Sequence, residues 1–393
     1  MKNRYLKLVM LVIVLFLGYL TMLSAEEGVT DTEIHVAQFG ALTGPASTWG
    51  AVLKGADLFF KVINDEGGIN GRKIIYHIMD DSYIPAKTKF GVKQLQESLG
   101  IFAWLGGMGT PNCIAVKDYL SNKKIPWLAP LSGVRDFIEP PNKYIFSAYP
   151  LLSLDAAILC DYAAKTLNKK KIAIIYQNDG YGRSGIQAAI SQLGKYNLKP
   201  IAEIAIDEGT SNLQPQALEL KKLEADAVLI FRLNPIAFNR LLQASKSMKY
   251  ETQWLAGITF SDFSLMYKIS NGMCAGMITT SYADYKATAQ IQKYKDAMSK
   301  YGISDQWSAF YQMGIVIGEI LAEGIKQCGK DVTRENFVLQ LEKMNDFKGL
   351  GGKVSFMPFD PNNPETRRGT KSLSLIRCKE NGETEELTDF ISL

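Results

Sequence analysis

The chain has 393 residues, 47% hydrophobic and 21% charged, with 33 glycines and 14 prolines; this excludes a disordered or low-complexity chain. At roughly 100 to 200 residues per domain, two domains fit, each able to bury a core without metal staples. Of the formal net charge of +4, Lys2, Arg4 and Lys7 supply three, so the remainder is near neutral and a polyanion-binding surface is excluded; nucleic acid is not an expected partner.

Those three basic residues precede an apolar run from Leu8 to Leu23, and Ser24-Ala25 supplies small residues before the acidic Glu26-Glu27. Residues 1–25 read as a cleavable signal peptide; the rival reading is an uncleaved anchor, because Leu23 is a poor small residue three back from the cut. No later apolar stretch approaches the ~20 residues that span a bilayer, so the mature chain is expected to be soluble.

Short β-rich runs then alternate with helical spacing. Strands are predicted at Ile34 to Gly40, Lys73 to Met79, Phe102 to Gly106, Ile125 to Ala129 and Tyr144 to Ala148. Between them lie helices over Thr48 to Asn64, Lys87 to Leu99 and Asn112 to Asn122. The alternation restarts with a helix at Asp155 to Leu167, a strand at Lys171 to Tyr176 and a helix at Gly182 to Tyr196. A strand at Ile201 to Ile206, a helix at Leu213 to Leu223, a strand at Ala227 to Phe231 and a helix at Pro235 to Met248 follow, with strands near Trp254 and Met277. A mainly helical stretch covers Ala287 to Tyr301, Gln306 to Gln327 and Arg334 to Met344, then strand-like pieces around Val354 and Ser372 to Arg377. The fold class is α/β: two lobes, each a parallel sheet flanked by helices, with several hinge crossovers. Residues 26–149 plus about 281–356 are assigned to lobe I, and 150–280 plus about 357–393 to lobe II. Two lobes joined by several strands close as rigid bodies on a ligand held between them.

Ligands in open α/β sheets bind beyond the carboxyl ends of the strands, so the loops there carry the functional reading. Trp49 follows the Gly40 to Pro45 loop and reads either as core or as a cleft wall. Thr110, after Gly107-Met108-Gly109, fits an N-cap with Pro111 at the first helical position, and Ser132 after Leu131 repeats the arrangement. Two such helix starts would cradle a carboxylate with main-chain N–H groups. Gly180-Tyr181-Gly182-Arg183-Ser184-Gly185 matches G-x-G-x-x-G with Glu203 about 20 residues on, but Gln177-Asn178-Asp179 lengthen the loop before the first glycine, against a dinucleotide site. Tyr181 reads instead as a ring covering a ligand.

Catalytic constellations are thin. His35 and His77 lie within strand patterns, Asp80-Asp81 alternates faces on a strand, and no metalloprotease, hydrolase-elbow, phosphate-loop or calcium-loop motif occurs. No catalytic residue, metal or cofactor is expected. Cys113, Cys160 and Cys274 read as buried core residues, whereas Cys328 and Cys378 could pair.

The residues from Gly40 to Pro45, Trp49-Gly50, and the run Ile63-Asn64-Asp65-Glu66-Gly67-Gly68-Ile69-Asn70-Gly71-Arg72-Lys73-Ile74 resemble the start of solute-binding proteins of branched-chain amino acid type ABC importers. Ile125-Pro126 with Pro130, the Tyr181-Gly182 loop and Phe359-Asp360 extend the resemblance over residues 29 to 393. It implies a type I periplasmic binding fold, periplasmic location, capture of a small carboxylate in the cleft and delivery to an inner-membrane ABC permease, by a monomer. Carried over by position, Thr110 and Ser132 match the carboxylate-holding loops with Leu131 contributing backbone, and Trp49 and Tyr181 match the aromatic walls. Where amino-acid binders place acids for the ligand ammonium, this chain has Leu152 and Ile258, with Asp155 as an alternative source of charge. Arg232, ending a lobe II strand, reads either as an anion contact or as a surface charge. A carboxylate lacking the α-ammonium is therefore the expected ligand, and a hydrophobic amino acid the runner-up. A sensory ligand-binding domain and a secreted α/β enzyme are the competing classes.

Overall fold

The computed structural model describes residues 26–44, 46–207 and 209–392, so the predicted leader lies outside the described residues. Five parallel strands form the first sheet: β1 (Glu33–Gly40), β2 (Lys73–Asp80), β3 (Ala103–Leu105), β4 (Trp127–Leu128) and β5 (Ile145–Phe146), in the order β2-β1-β3-β4-β5. Helices α1 (Ala51–Asp65), α2 (Pro85–Leu99) and α3 (Thr110–Asn122) make the crossovers.

The second sheet takes β6 (Ile172–Gln177), β7 (Ala202–Ile206), β8 (Ala227–Phe231), β9 (Gln253–Ala256) and β10 (Ile278–Ser281), with α4 (Leu152–Asp161), α5 (Gly180–Gly194), α6 (Gln214–Lys222), α7 (Pro235–Ser247) and α8 (Phe263–Ile269). All five residues of β8 are buried, as expected for a central strand covered on both faces. After β10 the chain leaves this sheet for α9 (Thr288–Lys300), α10 (Ala309–Gln327) and α11 (Arg334–Glu342), then returns as β11 (Ser372–Cys378), β12 (Thr384–Glu386) and β13 (Ile391–Ser392). β11 runs antiparallel to β10, and the order is β12-β11-β10-β9-β8-β6-β7 with β13 paired to β11.

The long α10 packs on α1 and so belongs with the first sheet. Glycine makes that contact close. A Cβ on Gly55 would lie 2.0 Å from the Tyr311 carbonyl oxygen, and one on Gly314 2.0 Å from that of Val52, so both backbones approach nearer than any side chain allows. The chain thus passes between the sheets after β5, after β10 and before β11. Where it passes, Ser147 N–H donates to the Arg367 carbonyl (2.9 Å) and Gly369 N–H to that of Ser147 (2.9 Å).

Several expectations need correction. Thr110 is not an N-cap: Gly109, at φ 92°, holds that position, Thr110 is the first helical residue, and Thr110 Oγ1 bonds instead to Ser132 Oγ at 2.7 Å. No helix starts at Ser132, because the chain stays extended past β4, pairing Leu131 with Met108, and the Ser132 N–H turns back to the Pro130 carbonyl at 2.8 Å. Cys328 does not face Cys378; its thiol donates to the Gly324 carbonyl within its own helix. Helix α8 and strands β12 and β13 were not predicted, and Val354 makes only isolated bridges.

Candidate functional site

The loops leaving β1 to β5 and those leaving β6, β8 and β9 face one another, and the first turn of α10 closes one side. Between them lies a narrow cavity, with about 460 Å³ of empty space when its open mouth is included. Its walls are Trp49, Val52, Tyr83, Met108, Gly109, Leu131 and Tyr149 from one side, Tyr181, Arg232 and Thr259 from the other, and Phe310 and Met313 from α10. Four of the predicted site residues, Trp49, Leu131, Tyr181 and Arg232, are thus brought together.

Arg232 is the charged centre. Only 3% exposed, it follows β8 with a left-handed backbone (φ 59°) that carries its side chain across the gap. Its guanidinium carbon lies 5.0 Å from the Trp49 ring centroid, 4.9 Å from that of Tyr83 and 6.0 Å from that of Tyr181, within cation–π range of all three. Nη1 donates to Asp179 Oδ2 at 3.2 Å, and Nη2 donates to the Tyr83 hydroxyl from the opposite side of the cavity. Tyr83 too is left-handed (φ 62°). An L-residue pays about 1 to 2 kcal/mol for that conformation, and such strain gathers at ligand clamps. A Cβ on Gly109 (φ 92°) would sit 2.4 Å from the Tyr83 ring, so glycine there lets the ring lie against the β3 loop.

Burial drives the titration of the cavity phenols. It raises Tyr83 to about 12 against the opposing Arg232 charge, and raises Tyr149 and Tyr181 further, where the two hydroxyls interact. All three stay neutral around pH 7. The Thr259 hydroxyl is buried on the wall without a hydrogen-bond partner among the described residues, leaving a polar group to be satisfied.

Thr110, Ser132 and Ile258 are buried beside the cavity but do not line it. Thr110 lies at the seam between the two sides: its Cγ2 is 3.8 Å from where a Gly180 Cβ would stand. Leu152 is buried at the start of α4. Asp155 is buried as well and is not among the wall residues; it accepts from Thr280 Oγ1 at 2.6 Å and Ile258 N–H at 3.2 Å, and burial pushes its carboxyl up to about 6. Asp179, the carboxylate paired with the wall residue Arg232, also accepts from the N–H of Gly182 at 2.9 Å.

Asp179 also accounts for the glycine motif. It is the N-cap of α5, so the anion at this helix start is supplied by the chain itself. A Cβ on Gly182 would meet the Gln177 carbonyl at 2.0 Å and one on Gly185 the Phe231 ring at 2.6 Å, so these glycines serve strand–helix packing and no pyrophosphate is needed to explain them.

Tyr83, Tyr149, Thr259, Phe310 and Met313 were missed from sequence. Tyr83 follows Asp81-Ser82 in a β–α loop, and an aromatic residue in such a loop was the available signal. Phe310 and Met313 merge into a long apolar helix and carry none. The stacked His35 and His77 lie within β1 and β2 and outside the cavity wall (Nδ1 to Nε2 3.1 Å), and among the described residues no three His, Cys, Asp or Glu side chains are grouped to hold a metal ion.

A family model described as periplasmic binding protein matches residues 33–383. Leu/Ile/Val-binding protein BraC3 of Rhizobium johnstonii is 22% identical over 82% of this chain and 87% of its own length. The leucine-specific-binding protein of Salmonella typhimurium is 24% identical over 66% and 69%. Against Leu/Ile/Val-binding protein homolog 3 of Brucella melitensis, at 25% identity, the chain spans only about half of that relative's length (53%). Among solved structures, a branched-chain amino acid ABC transporter protein from Thermus thermophilus with bound valine superposes with a TM-score of 0.82 at 18% identity, covering 93% of this chain and 98% of its own. A fatty acid ABC transporter substrate-binding protein from Thermomonospora curvata gives 0.81 at 20% identity, covering 94% and 95%. The two-sheet architecture, the cleft between the sheets and the match over most of the chain agree: this chain belongs to the periplasmic binding protein family, whose members bind solutes and are not enzymes.

Proposed function

We propose that the chain is the solute-binding subunit of an ABC importer, exported by residues 1–25, and that its cleft holds a small carboxylate with an apolar body and no α-ammonium for delivery to an inner-membrane permease. The lobes are residues 26–149 with about 281–356 and residues 150–280 with about 357–393. The carrying observation is one guanidinium, that of Arg232, set in a wall otherwise aromatic and aliphatic, with no carboxylate among the wall residues. A guanidinium carries five N–H donors, so the group can donate to a ligand carboxylate while keeping Asp179 and Tyr83. Thr259 supplies a further hydroxyl, and Trp49, Tyr83, Leu131 and Tyr181 cover the apolar body. Thr110, Ser132 and Ile258 support the wall from behind. A ligand ammonium would be desolvated with no wall carboxylate to pair it, because Asp155 and Asp179 are both engaged elsewhere; that is costly.

The names of the relatives favour a second reading, a branched-chain amino acid such as leucine. A thermal-shift screen of aryl and aliphatic acids beside the hydrophobic amino acids separates the two. Acids are expected to raise the melting temperature most; stabilisation by leucine, isoleucine or valine alone overturns the preferred ligand class.

A further inference from the structure

From the packing of the C-terminal strands we infer that Cys274 and Cys378 form a disulfide in the exported protein, stapling the returning chain to the second sheet. The inference rests on the family's periplasmic location and is independent of the ligand. All five cysteines are buried. Four of them donate to backbone carbonyls: Cys113 to Gly107, Cys160 to Ala189, Cys328 to Gly324 and Cys378 to Lys379. Cys274 and Cys378 also face each other, with Sγ atoms 3.7 Å apart across a sequence separation of 104.

The backbone holds the pair together. Gly276 N–H donates to the Cys378 carbonyl at 2.8 Å and Cys378 N–H to the Met277 carbonyl at 2.9 Å, so the turn before β10 and the end of β11 are hydrogen-bonded on either side of the thiols. A rotation about the side-chain bonds brings such sulfurs to bonding distance without moving the chain far. The surroundings, including Met266, Met277 and Ile376, are apolar, and among the described residues no third ligand is grouped with the thiols for a metal. Position gives the bond its value. β11 brings the chain back after α9, α10 and α11 have packed on the other sheet, and β12 and β13 both hang on β11.

The chemistry is thiol–disulfide exchange with a disulfide oxidant of the export compartment. Cys274, whose thiol is lowered by its hydrogen bond to Cys378, loses its proton and attacks one sulfur of the oxidant, expelling the other as thiolate. Cys378 then gives up its proton and attacks the Cys274 sulfur of the mixed disulfide, releasing the second oxidant thiol. Two protein thiols are oxidised and one oxidant disulfide is reduced to two thiols.

The test is peptide mapping of wild-type protein purified from an oxidising compartment, alkylated under denaturing conditions without reductant. Label is expected on Cys113, Cys160 and Cys328, with Cys274 and Cys378 in one linked peptide two hydrogens lighter than its parts. Label on all five, or a link involving Cys328, overturns the inference. The same chain refolded with reductant is expected to melt about 5 to 10 °C lower, as for a bridge closing a long loop. An unchanged melting temperature in linked protein overturns the stapling role.

Discussion

Replacing Arg232 by methionine isolates the charge from the packing. Methionine keeps a flexible, polarizable stem against the Trp49, Tyr83 and Tyr181 rings but removes the guanidinium that reaches Asp179 and Tyr83. The site is dry: Arg232 is 3% exposed. Truncating one partner of a buried, hydrogen-bonded charge pair costs about 2 to 5 kcal/mol, and even the lower bound is about 30-fold in Kd. The assay is calorimetric titration, at pH 7, of wild type and Arg232→Met with the acid that stabilises the wild type most and with its primary amide. The acid is expected to lose at least about 30-fold while the neutral amide changes by about 3-fold or less. Equal losses for acid and amide would mean that Arg232 only props the wall, and a retained acid affinity would refute the assigned role outright.

Asp155 should leave a signature in the pH profile of stability. Its folded pKa of about 6 lies above the ordinary carboxyl value of 3.8, so the folded state holds its proton longer than the unfolded state. Its contribution is complete below about pH 4 and is lost as pH rises to about 6, at up to about 1.4 kcal/mol per pH unit. Asp155→Asn is expected to flatten urea-midpoint profiles across that window, and an unaltered slope would argue against it. Gly314→Ala, whose Cβ would meet the Val52 carbonyl at 2.0 Å, should cost about 1 to 3 kcal/mol or more in chemical denaturation. Gly194→Ala, where the Cβ meets nothing within 4 Å, should be neutral or mildly stabilising. Matching midpoints for the two variants would refute the close α1–α10 contact.

The alternation of β-rich runs and helical stripes carried the architecture, and β6, β8 and α10 stand within a few residues of where their patterns place them. Periodicity is a local property, and these elements bury continuous apolar faces. The site was harder to read because it depends on what the loops do after each strand. Thr110-Pro111 fits a cap equally well in either of two registers, and only the φ of Gly109 decides that the helix begins one residue earlier. Ser132 looked like a helix start because small and turn-forming residues also follow a strand that continues its pairing, as Leu131 does with Met108. Arg232 could be seen as a candidate, but its pairing with Tyr83 could not: that contact joins residues 149 apart across the cleft. The Cys274–Cys378 proximity has the same origin, since it follows from the antiparallel pairing of β10 with β11 and no cysteine spacing encodes it.

Leucine and 4-methylpentanoate share carboxylate and side chain and differ by the α-ammonium alone, so titrating each into the wild-type protein weighs the anion-gripping, ammonium-excluding cleft with least interference. At least tenfold tighter binding of 4-methylpentanoate is the predicted result, equivalent to about 1.4 kcal/mol. Tighter binding of leucine would contradict it.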